Sequence, residues 1–270
     1  MYNSHVHSSF SRDCKASLSE MCDAAIKAGL KGISLTDHCD LDNYISDNVY
    51  TTLKKSVNSA KELSSLFNGN LKVFTGVELG GIIHRPTYAS TLTKSFDFDI
   101  VLMSVHIPQS NGKSYHLSRV DFSAMPKEEL ISVIHGYFDE MYATVIKADF
   151  DVCAHLTLPF RYINGVYGRN IPVSLFTDDI QKVLSALIER GKALELNTSE
   201  INHQLFDFMP DESVLRLYRD MGGKLITIGS DAHKSENIAL GFNEAFSLLK
   251  KCGFNEYHYY EKRVPTAVSL

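Results

Sequence analysis

The sequence lacks the features that would place it in several large classes of protein. No apolar run approaches the length of a membrane-spanning helix, and the polar N-terminus has no signal-peptide pattern. The five cysteines are odd in number and form no CxxC pair, which favours reduced thiols in a cytoplasmic protein over a disulfide framework. Linkers, low-complexity tracts and internal repeats are absent as well. We therefore predict a single domain over residues 1–270.

An excess of basic residues is also missing. The chain has 27 Lys and Arg against 32 Asp and Glu, a net charge of −5, which disfavours an extended nucleic-acid surface. A phosphate site remains open to such a chain, because bound metal ions can supply the positive charge. We expect no nucleic-acid partner and no membrane partner, and the sequence leaves the oligomeric state open.

The sequence does contain a regular alternation of short apolar segments and amphipathic helical patterns. The predicted strands are residues 2–7, 32–37, 71–79, 100–106, 151–155, 194–198 and 225–229. Helical patterns cover residues 18–26, 50–67, 127–148, 177–190, 211–221 and 237–252, the first with Ser17 or Ser19 as its cap and Gly29 as its stop. Seven successive strand–helix units predict an α/β fold, a parallel sheet closed into a TIM-like barrel. We expect the aromatic tail 256–270 to pack on the outside of that barrel.

Ligand-type side chains occur where almost every predicted strand ends. His5 and His7 share one face of the first strand, because side chains alternate across a strand. Parallel barrels build their active sites at the carboxyl ends of the strands, so these side chains should converge. The candidate metal ligands are His5, His7, Asp13, His38, Glu78, His106, His155, Asp231 and His233. Since one zinc takes three or four protein ligands, this set predicts two or three divalent ions, Zn, Fe or Mn, with Glu78 bridging.

The order of these motifs resembles the PHP (polymerase and histidinol phosphatase) family over nearly the whole chain. The motifs are His5-Val6-His7, Thr36-Asp37-His38, Glu78, His106, His155 and Asp231-Ala232-His233. The resemblance implies a distorted (β/α)7 barrel with a trinuclear metal centre. Segments 7–13 and 193–198 are most similar to the histidinol-phosphate phosphatases of the family.

The resemblance also implies a role for each candidate residue. The first ion would be held by His5, His7, Glu78 and Asp231, the second by Glu78, His106 and His155, and the third by His38, His233 and Asp13. Arg161 matches a phosphate-binding arginine, and a guanidinium binds phosphate through a bidentate fork. Ser199 and Glu200 stand where some relatives carry a further arginine, which leaves the substrate open.

The leading hypothesis is a metal-dependent phosphatase acting on a small phosphate ester, L-histidinol phosphate of histidine biosynthesis, through a hydroxide that bridges the ions. Phe10, Tyr162 and an acidic loop are candidates for the pocket wall around that cationic substrate. The loop carries Asp40, Asp42 and Asp47, although a solvated loop is its default interpretation. His84 and His203 are candidates for the acid that protonates the leaving group, whereas His116, His135 and His258 fit no ligand pattern.

Two other functions stay open at this point. A PHP phosphoesterase acting on nucleotides or oligonucleotides would need basic groove residues with stacking aromatics, which the net charge of −5 disfavours. A non-catalytic metal-binding module would carry a decayed ligand set, whereas this chain has the full complement of ligand types.

Overall fold

Twelve strands occur in the part of the chain that the computed structural model describes, residues 1–41, 48–67, 69–199 and 207–270. In chain order they are β1 (Tyr2–Val6), β2 (Gly32–Leu35), β3 (His38–Asp40), β4 (Lys72–Gly80), β5 (Ile100–Ser104), β6 (Gln109–Ser110), β7 (Lys113–Ser114), β8 (Val152–Cys153), β9 (Ala193–Asn197), β10 (Ile226–Gly229), β11 (Glu256–Glu261) and β12 (Val264–Ser269). Seven strands run parallel in the order β1-β2-β4-β5-β8-β9-β10, and β3 pairs with the end of β4. Each predicted strand is found, with bounds that differ by a few residues.

The first and last strands of this sheet meet and nearly close the barrel. Val6 forms a parallel bridge with Ala232, just beyond β10. The Asp231 amide donates to the His5 carbonyl at 2.9 Å, and the His7 amide donates to the Ala232 carbonyl at 3.1 Å. The predicted α/β barrel, a distorted (β/α)7 fold, is confirmed. Its closure also brings the two motifs from opposite ends of the chain side by side.

Helices cover the outside of the barrel with their apolar faces. They are α1 (Leu18–Lys27), α2 (Val49–Leu66), α3 (Pro86–Ser95), α4 (Lys127–Lys147), α5 (Leu158–Phe160), α6 (Thr177–Glu189), α7 (Glu212–Asp220) and α8 (Phe242–Lys251). Short helical turns lie at Ile82–His84, Arg161–Val166, Val173–Phe176 and Ser235–Asn237. None of the described helices combines the length and hydrophobicity that crossing a bilayer requires.

The start of α1 decides between the two predicted caps. The Ser17 hydroxyl accepts a hydrogen bond from the Glu20 amide at 3.3 Å, and the Glu20 carboxylate accepts one from the Ser17 amide at 2.6 Å. This reciprocal capping box makes Ser17 the cap. Gly29 has a φ of +74° just after the helix, a conformation that a side chain would oppose.

The predicted position of the tail was wrong, because the tail closes one end of the barrel. Strands β11 and β12 form an antiparallel hairpin. Its Tyr260 is buried with side chains that point inward from the first halves of the barrel strands. Those side chains are Ile100, Leu102, Val152, Ala154 and Ala193. An apolar plug therefore fills the N-terminal half of the barrel and leaves the C-terminal half for polar groups.

Polar contacts anchor the hairpin to the first residues of the barrel strands. The Tyr257 hydroxyl accepts a hydrogen bond from the Tyr2 amide at 3.0 Å, and the rings of Tyr2 and Tyr259 stack at 4.0 Å. At the hairpin turn, Arg263 donates to Asp151, which immediately precedes β8. These groups are far apart in sequence, so composition alone did not reveal the plug.

Replacing Tyr260 by alanine should lower the free energy of unfolding by about 3–5 kcal/mol, because truncating a buried aromatic leaves a cavity. The matched control is Val264→Ala on the same hairpin, where the side chain is 61% exposed and the change should stay within about 0.5 kcal/mol. Urea unfolding followed by circular dichroism measures both. Equal losses for the two variants would contradict the plug.

Candidate metal centre

Glu78 lies at the centre of the polar end of the barrel. It lies near the end of β4 and is fully buried, and both of its carboxylate oxygens contact histidines from other strands. Its Oε1 atom lies 2.8 Å from His155 Nε2 and 3.1 Å from His106 Nε2. Its Oε2 atom lies 2.7 Å from His38 Nδ1 and 3.4 Å from His5 Nε2. One carboxylate thus connects histidines from four strands or strand ends.

A second group forms where the barrel closes. His5 and His7 point the same way from β1, with their Nε2 atoms 3.0 Å apart. Asp231 follows β10 and places Oδ1 3.1 Å from His7 Nε2 and 3.6 Å from His5 Nε2. The motif at the start of the chain and the motif near its end therefore converge, as the strand pattern predicted.

A third group lies nearer the solvent. His38 and His233 have their Nε2 atoms 3.3 Å apart. Asp13 places Oδ1 3.3 Å from His233 and Oδ2 3.6 Å from His38, and its side chain is 62% exposed. The structure thus brings all nine candidate ligands into one cluster. Their assignment to individual ions stays a prediction.

Hydrogen bonds behind the cluster decide which ring nitrogen of several histidines faces inward. The Nδ1 atom of His5 lies 2.7 Å from Glu195 Oε1, and the Nδ1 atom of His106 lies 2.8 Å from Asp40 Oδ1. The Nδ1 atom of His233 lies 2.9 Å from the Asp231 carbonyl oxygen. Ionised carboxylates and carbonyls only accept, so each Nδ1 carries a proton, and the neutral form of each ring presents its lone pair on Nε2.

Two glycines make these contacts behind the histidines sterically feasible. A Cβ atom at Gly229 would collide with Glu195 Oε1, and one at Gly80 would collide with Asp40 Oδ1. Glu195 falls on a predicted strand without an assigned role, and Asp40 was predicted to lie in an acidic loop, either solvated or at the pocket wall. Asp40 instead lies on β3 and contacts His106, and it does line the pocket, so only the solvated alternative was wrong. Gly80 is paired with Asp40 in the sheet, but Gly229 is paired with Asn197 and not with Glu195, so no pattern in the sequence pointed to Glu195.

The donor set fits divalent metal ions. Among the described residues, His38 Nδ1, Glu78 Oε2, His155 Nδ1 and Asp231 Oδ1 are buried polar atoms without a hydrogen-bond partner. Three sets of ligand atoms lie within 4.8 Å of one another: His5, His7 and Asp231; His7, His38 and His233; and His38, Glu78 and His106. Neighbouring ligands of a tetrahedral ion with Zn–N bonds of about 2.0–2.1 Å lie roughly 3.3 Å apart, close to the separations observed here.

The charges in this cluster hold Glu78 and His7 in their metal-binding forms, whereas, against the effect of burial, neighbouring carboxylates raise the pKa of His5, His38, His106 and His233. Burial alone would raise the pKa of Glu78, but the charged forms of His106, His38 and His5 hold that pKa well below its usual range. Burial, with help from His233 and His38, lowers the pKa of His7. A deprotonated carboxylate and a neutral imidazole are the species that bind metal ions.

A cavity of about 740 Å³ opens directly above the cluster. Arg161 lies on its wall, with Nη1 3.9 Å from Asp231 Oδ2 and donating to Ser199 Oγ at 3.4 Å. Phe10 and Tyr162, the predicted wall residues, also line it. His116, which fitted no ligand pattern, lines this cavity as well.

The remaining candidates lie elsewhere. His84 pairs with Glu140 at 3.0 Å and does not line the cavity, so its expected role as an acid is not supported. His135 contacts Asp179 at 2.8 Å on the outer helices, and His258 is buried in the hairpin. Asp42, Asp47, Glu200 and His203 fall outside the described residues.

A family model described as PHP domain matches residues 3–199. The chain belongs to the PHP family. Among curated PHP relatives, a Clostridium acetobutylicum protein named "Probable histidinol-phosphatase" is 28% identical over 98% of both chains. The histidinol-phosphatase of Lactococcus lactis is 27% identical over 93% of this chain and 91% of its own.

Solved structures show the same PHP barrel. The crystal structure of the Lactococcus lactis histidinol phosphate phosphatase superposes with a TM-score of 0.77 at 23% identity and covers 98% of both chains. That protein was crystallised with zinc, L-histidinol and phosphate. A Listeria monocytogenes structure superposes with a TM-score of 0.73 at 15% identity, over 90% of this chain and 99% of the other. The strand order of the sheet and the comparisons with solved structures therefore assign the same fold.

Replacing Asp40 by asparagine should lower zinc affinity by about 10- to 100-fold, because a side-chain amide accepts more weakly than a carboxylate and can also donate, so it no longer fixes the proton of His106 on Nδ1. Competition with a chromogenic chelator measures the dissociation constant. Asp121→Asn is the control, since Asp121 is exposed, accepts from the Ser123 amide and does not line the cavity. Unchanged affinity in Asp40→Asn would show that the Asp40 contact does not orient His106 for metal binding.

Proposed function

We propose that this protein is a metal-dependent phosphate-monoester hydrolase that converts L-histidinol phosphate and water into L-histidinol and phosphate. The observation that carries the proposal is the convergence of histidines from four strand ends on the two oxygens of Glu78, with Arg161 Nη1 3.9 Å from Asp231 Oδ2 in the same cluster. The names of the relatives supply the substrate, and the reaction belongs to histidine biosynthesis.

We infer that the cluster holds up to three divalent ions. The first set is His5, His7, Glu78 and Asp231, the second is Glu78, His106 and His155, and the third is His38, His233 and Asp13. Their oxygen and imidazole ligands suit Zn, Fe or Mn. When bound, the ions supply Lewis acidity to the phosphate oxygens and lower the pKa of water.

The residues of the chain itself prepare this chemistry. Buried Glu195 and partly buried Asp40 hold His5 and His106 with their Nε2 atoms inward, so the ligand set is arranged before a metal ion arrives. Arg161 reaches the edge of the cluster and binds phosphate oxygens through its planar fork. In the transition state that guanidinium stabilises charge on the equatorial oxygens of the phosphoryl group.

The rest of the substrate would lie in the cavity above the cluster. Phe10 and Tyr162 line it and offer aromatic faces to an imidazole ring. The Arg161 guanidinium also lies over the Tyr162 ring, with Cζ 5.6 Å from the ring centroid. This interaction connects the phosphate side of the cavity with its aromatic side. This arrangement fits L-histidinol phosphate, whose phosphate would lie beside Arg161 and whose imidazole ring would lie against the aromatic side chains.

A second candidate, a phosphoesterase acting on nucleotides or oligonucleotides, is favoured by one observation. The same cavity is lined by Arg12, Arg119 and Lys234, which could contact further phosphates of a longer anion. The Bacillus subtilis DNA polymerase/3'-5' exonuclease PolX is 25% identical over 76% of this chain and 35% of its own length.

A panel of phosphate esters decides between these functions. We expect the zinc-, iron- or manganese-loaded protein to have its highest kcat/KM on L-histidinol phosphate, and prolonged chelation to abolish turnover until metal is restored. Nucleoside monophosphates and single-stranded oligonucleotides are the comparison substrates. A preference for nucleotides would favour the second candidate, and undiminished turnover in metal-free protein would refute both.

Replacing Arg161 by alanine should lower kcat/KM by about 10²–10³-fold, because a donor to the transition-state charge is lost. Metal content by mass spectrometry should not change, since Arg161 supplies no metal ligand. Arg216→Ala is the control, because Arg216 lies on α7 in an exposed pair with Glu212. Arg161→Lys should recover only part of the activity, as a lysine lacks the fork.

A further inference from the structure

Three serine hydroxyls converge on the buried carboxylate of Asp37. Ser11 Oγ donates to Oδ1 at 2.7 Å, Ser8 Oγ donates to Oδ2 at 2.9 Å, and Ser56 Oγ on α2 donates to Oδ2 at 2.6 Å. The Ser8 amide adds a fourth hydrogen bond, to Oδ1 at 2.7 Å. A carboxylate with four donors is an acceptor only, so each serine must direct its single proton toward Asp37.

Ser11 differs from the other two serines because it also contacts a metal-ligand histidine. Its oxygen accepts from the His38 amide at 3.1 Å and lies 3.0 Å from His7 Nδ1. A hydroxyl has one proton and two lone pairs. Since the proton is directed to Asp37, the contact with His7 must be an N–H of the imidazole donating to Ser11.

We propose that Ser11 is a positioning residue that fixes the proton of His7 on Nδ1 and thereby presents Nε2 of His7 to the metal centre. The inference rests on the proposed function only in taking the cluster to be a metal site. Asp37 acts one step further away, because it determines the direction in which the Ser11 hydroxyl points.

The position of His7 makes this proton important. Its Nε2 atom lies 3.0 Å from His5 Nε2 and 3.1 Å from Asp231 Oδ1, and His7 belongs to two of the three residue groups whose ligand atoms lie within 4.8 Å of one another. The other tautomer would direct an N–H into this group and remove a ligand. His5 and His106 are held by carboxylates, which can only accept, whereas His7 is held by a hydroxyl, which could donate or accept. His7 therefore depends on Asp37 to keep Ser11 in its accepting role.

The first test reads the tautomer directly. In zinc-loaded protein with ¹⁵N-labelled histidine, at a pH above the ordinary imidazole pKa, we expect a protonated Nδ1 signal for His7, assigned by its absence in His7→Gln. Ser11→Ala should abolish that signal through fast exchange with water, whereas Ser8→Ala and Ser56→Ala should keep it. A wild-type proton on Nε2 of His7 would overturn the proposal, even if Ser11→Ala failed to fold.

The second test measures zinc affinity by chelator competition. Ser11→Ala should bind zinc about 10- to 100-fold more weakly than the wild type, the usual effect of losing a group that orients a metal-binding histidine. Ser11→Thr keeps the hydroxyl and should therefore bind zinc as the wild type does. Ser8→Ala and Ser56→Ala should also match the zinc affinity of the wild type. Thermal unfolding of the metal-free variants reports any general loss of stability.

The outcomes separate this inference from the proposed function. Equal zinc affinity in Ser11→Ala and wild type, or equal losses in all three alanine variants, would refute the role of Ser11. If the protein failed to hydrolyse any ester of the panel while these tautomer and affinity results held, the phosphatase proposal would fail and the role of Ser11 would stand.

Discussion

The structure depends on how a single buried carboxylate is neutralised. Glu78 is fully enclosed in the barrel, where an uncompensated charge is costly. His38, His106 and His155 contact its two oxygens, and they come from three different strand ends. An arrangement that supplies these partners also supplies the ligands for metal ions. The geometry of the barrel rim is therefore set by the environment that Glu78 requires.

Backbone conformation near the cluster shows where the fold accommodates this requirement. Two of the candidate ligands, His155 and Asp231, have φ values of 25° and 52°, in the left-handed region that residues with side chains rarely adopt. Such conformations cost about 1–3 kcal/mol each and persist where the surroundings hold them. The Asp231 amide is held by the hydrogen bond that it donates to the His5 carbonyl oxygen. The His155 amide is held by the hydrogen bond that it donates to Glu195 Oε2. The first of these hydrogen bonds also closes the barrel between β1 and β10, and the second connects His155 to the carboxylate that also contacts His5.

The sequence predicted the inner layer of this site much better than the layer behind it. Histidines at the ends of strands could be recognised because the two-residue repeat of a strand and the shared edge of a parallel barrel are local rules. The partners of those histidines follow no local rule. Glu195 lies 190 residues from His5, and Asp40 lies 66 residues from His106, so only the closed barrel brings them together. The tail hairpin was misplaced for the same reason, since its aromatic side chains contact residues as distant in sequence as Tyr2 and Ile100.

The division of the barrel interior explains how one fold tolerates so polar a site. The N-terminal half is filled by apolar side chains and by Tyr260 from the hairpin, and it holds the strands together without a metal ion. The C-terminal half contains carboxylates and imidazoles whose lone pairs face one another, as at the 3.0 Å contact between His5 and His7. Without a cation, such a half can relieve its repulsion only by taking up protons. Because a cation that binds the folded state stabilises it by mass action, metal binding and the stability of this half are coupled. The apolar half contains none of the candidate ligands, so its packing stabilises the barrel whether the polar half holds protons or metal ions.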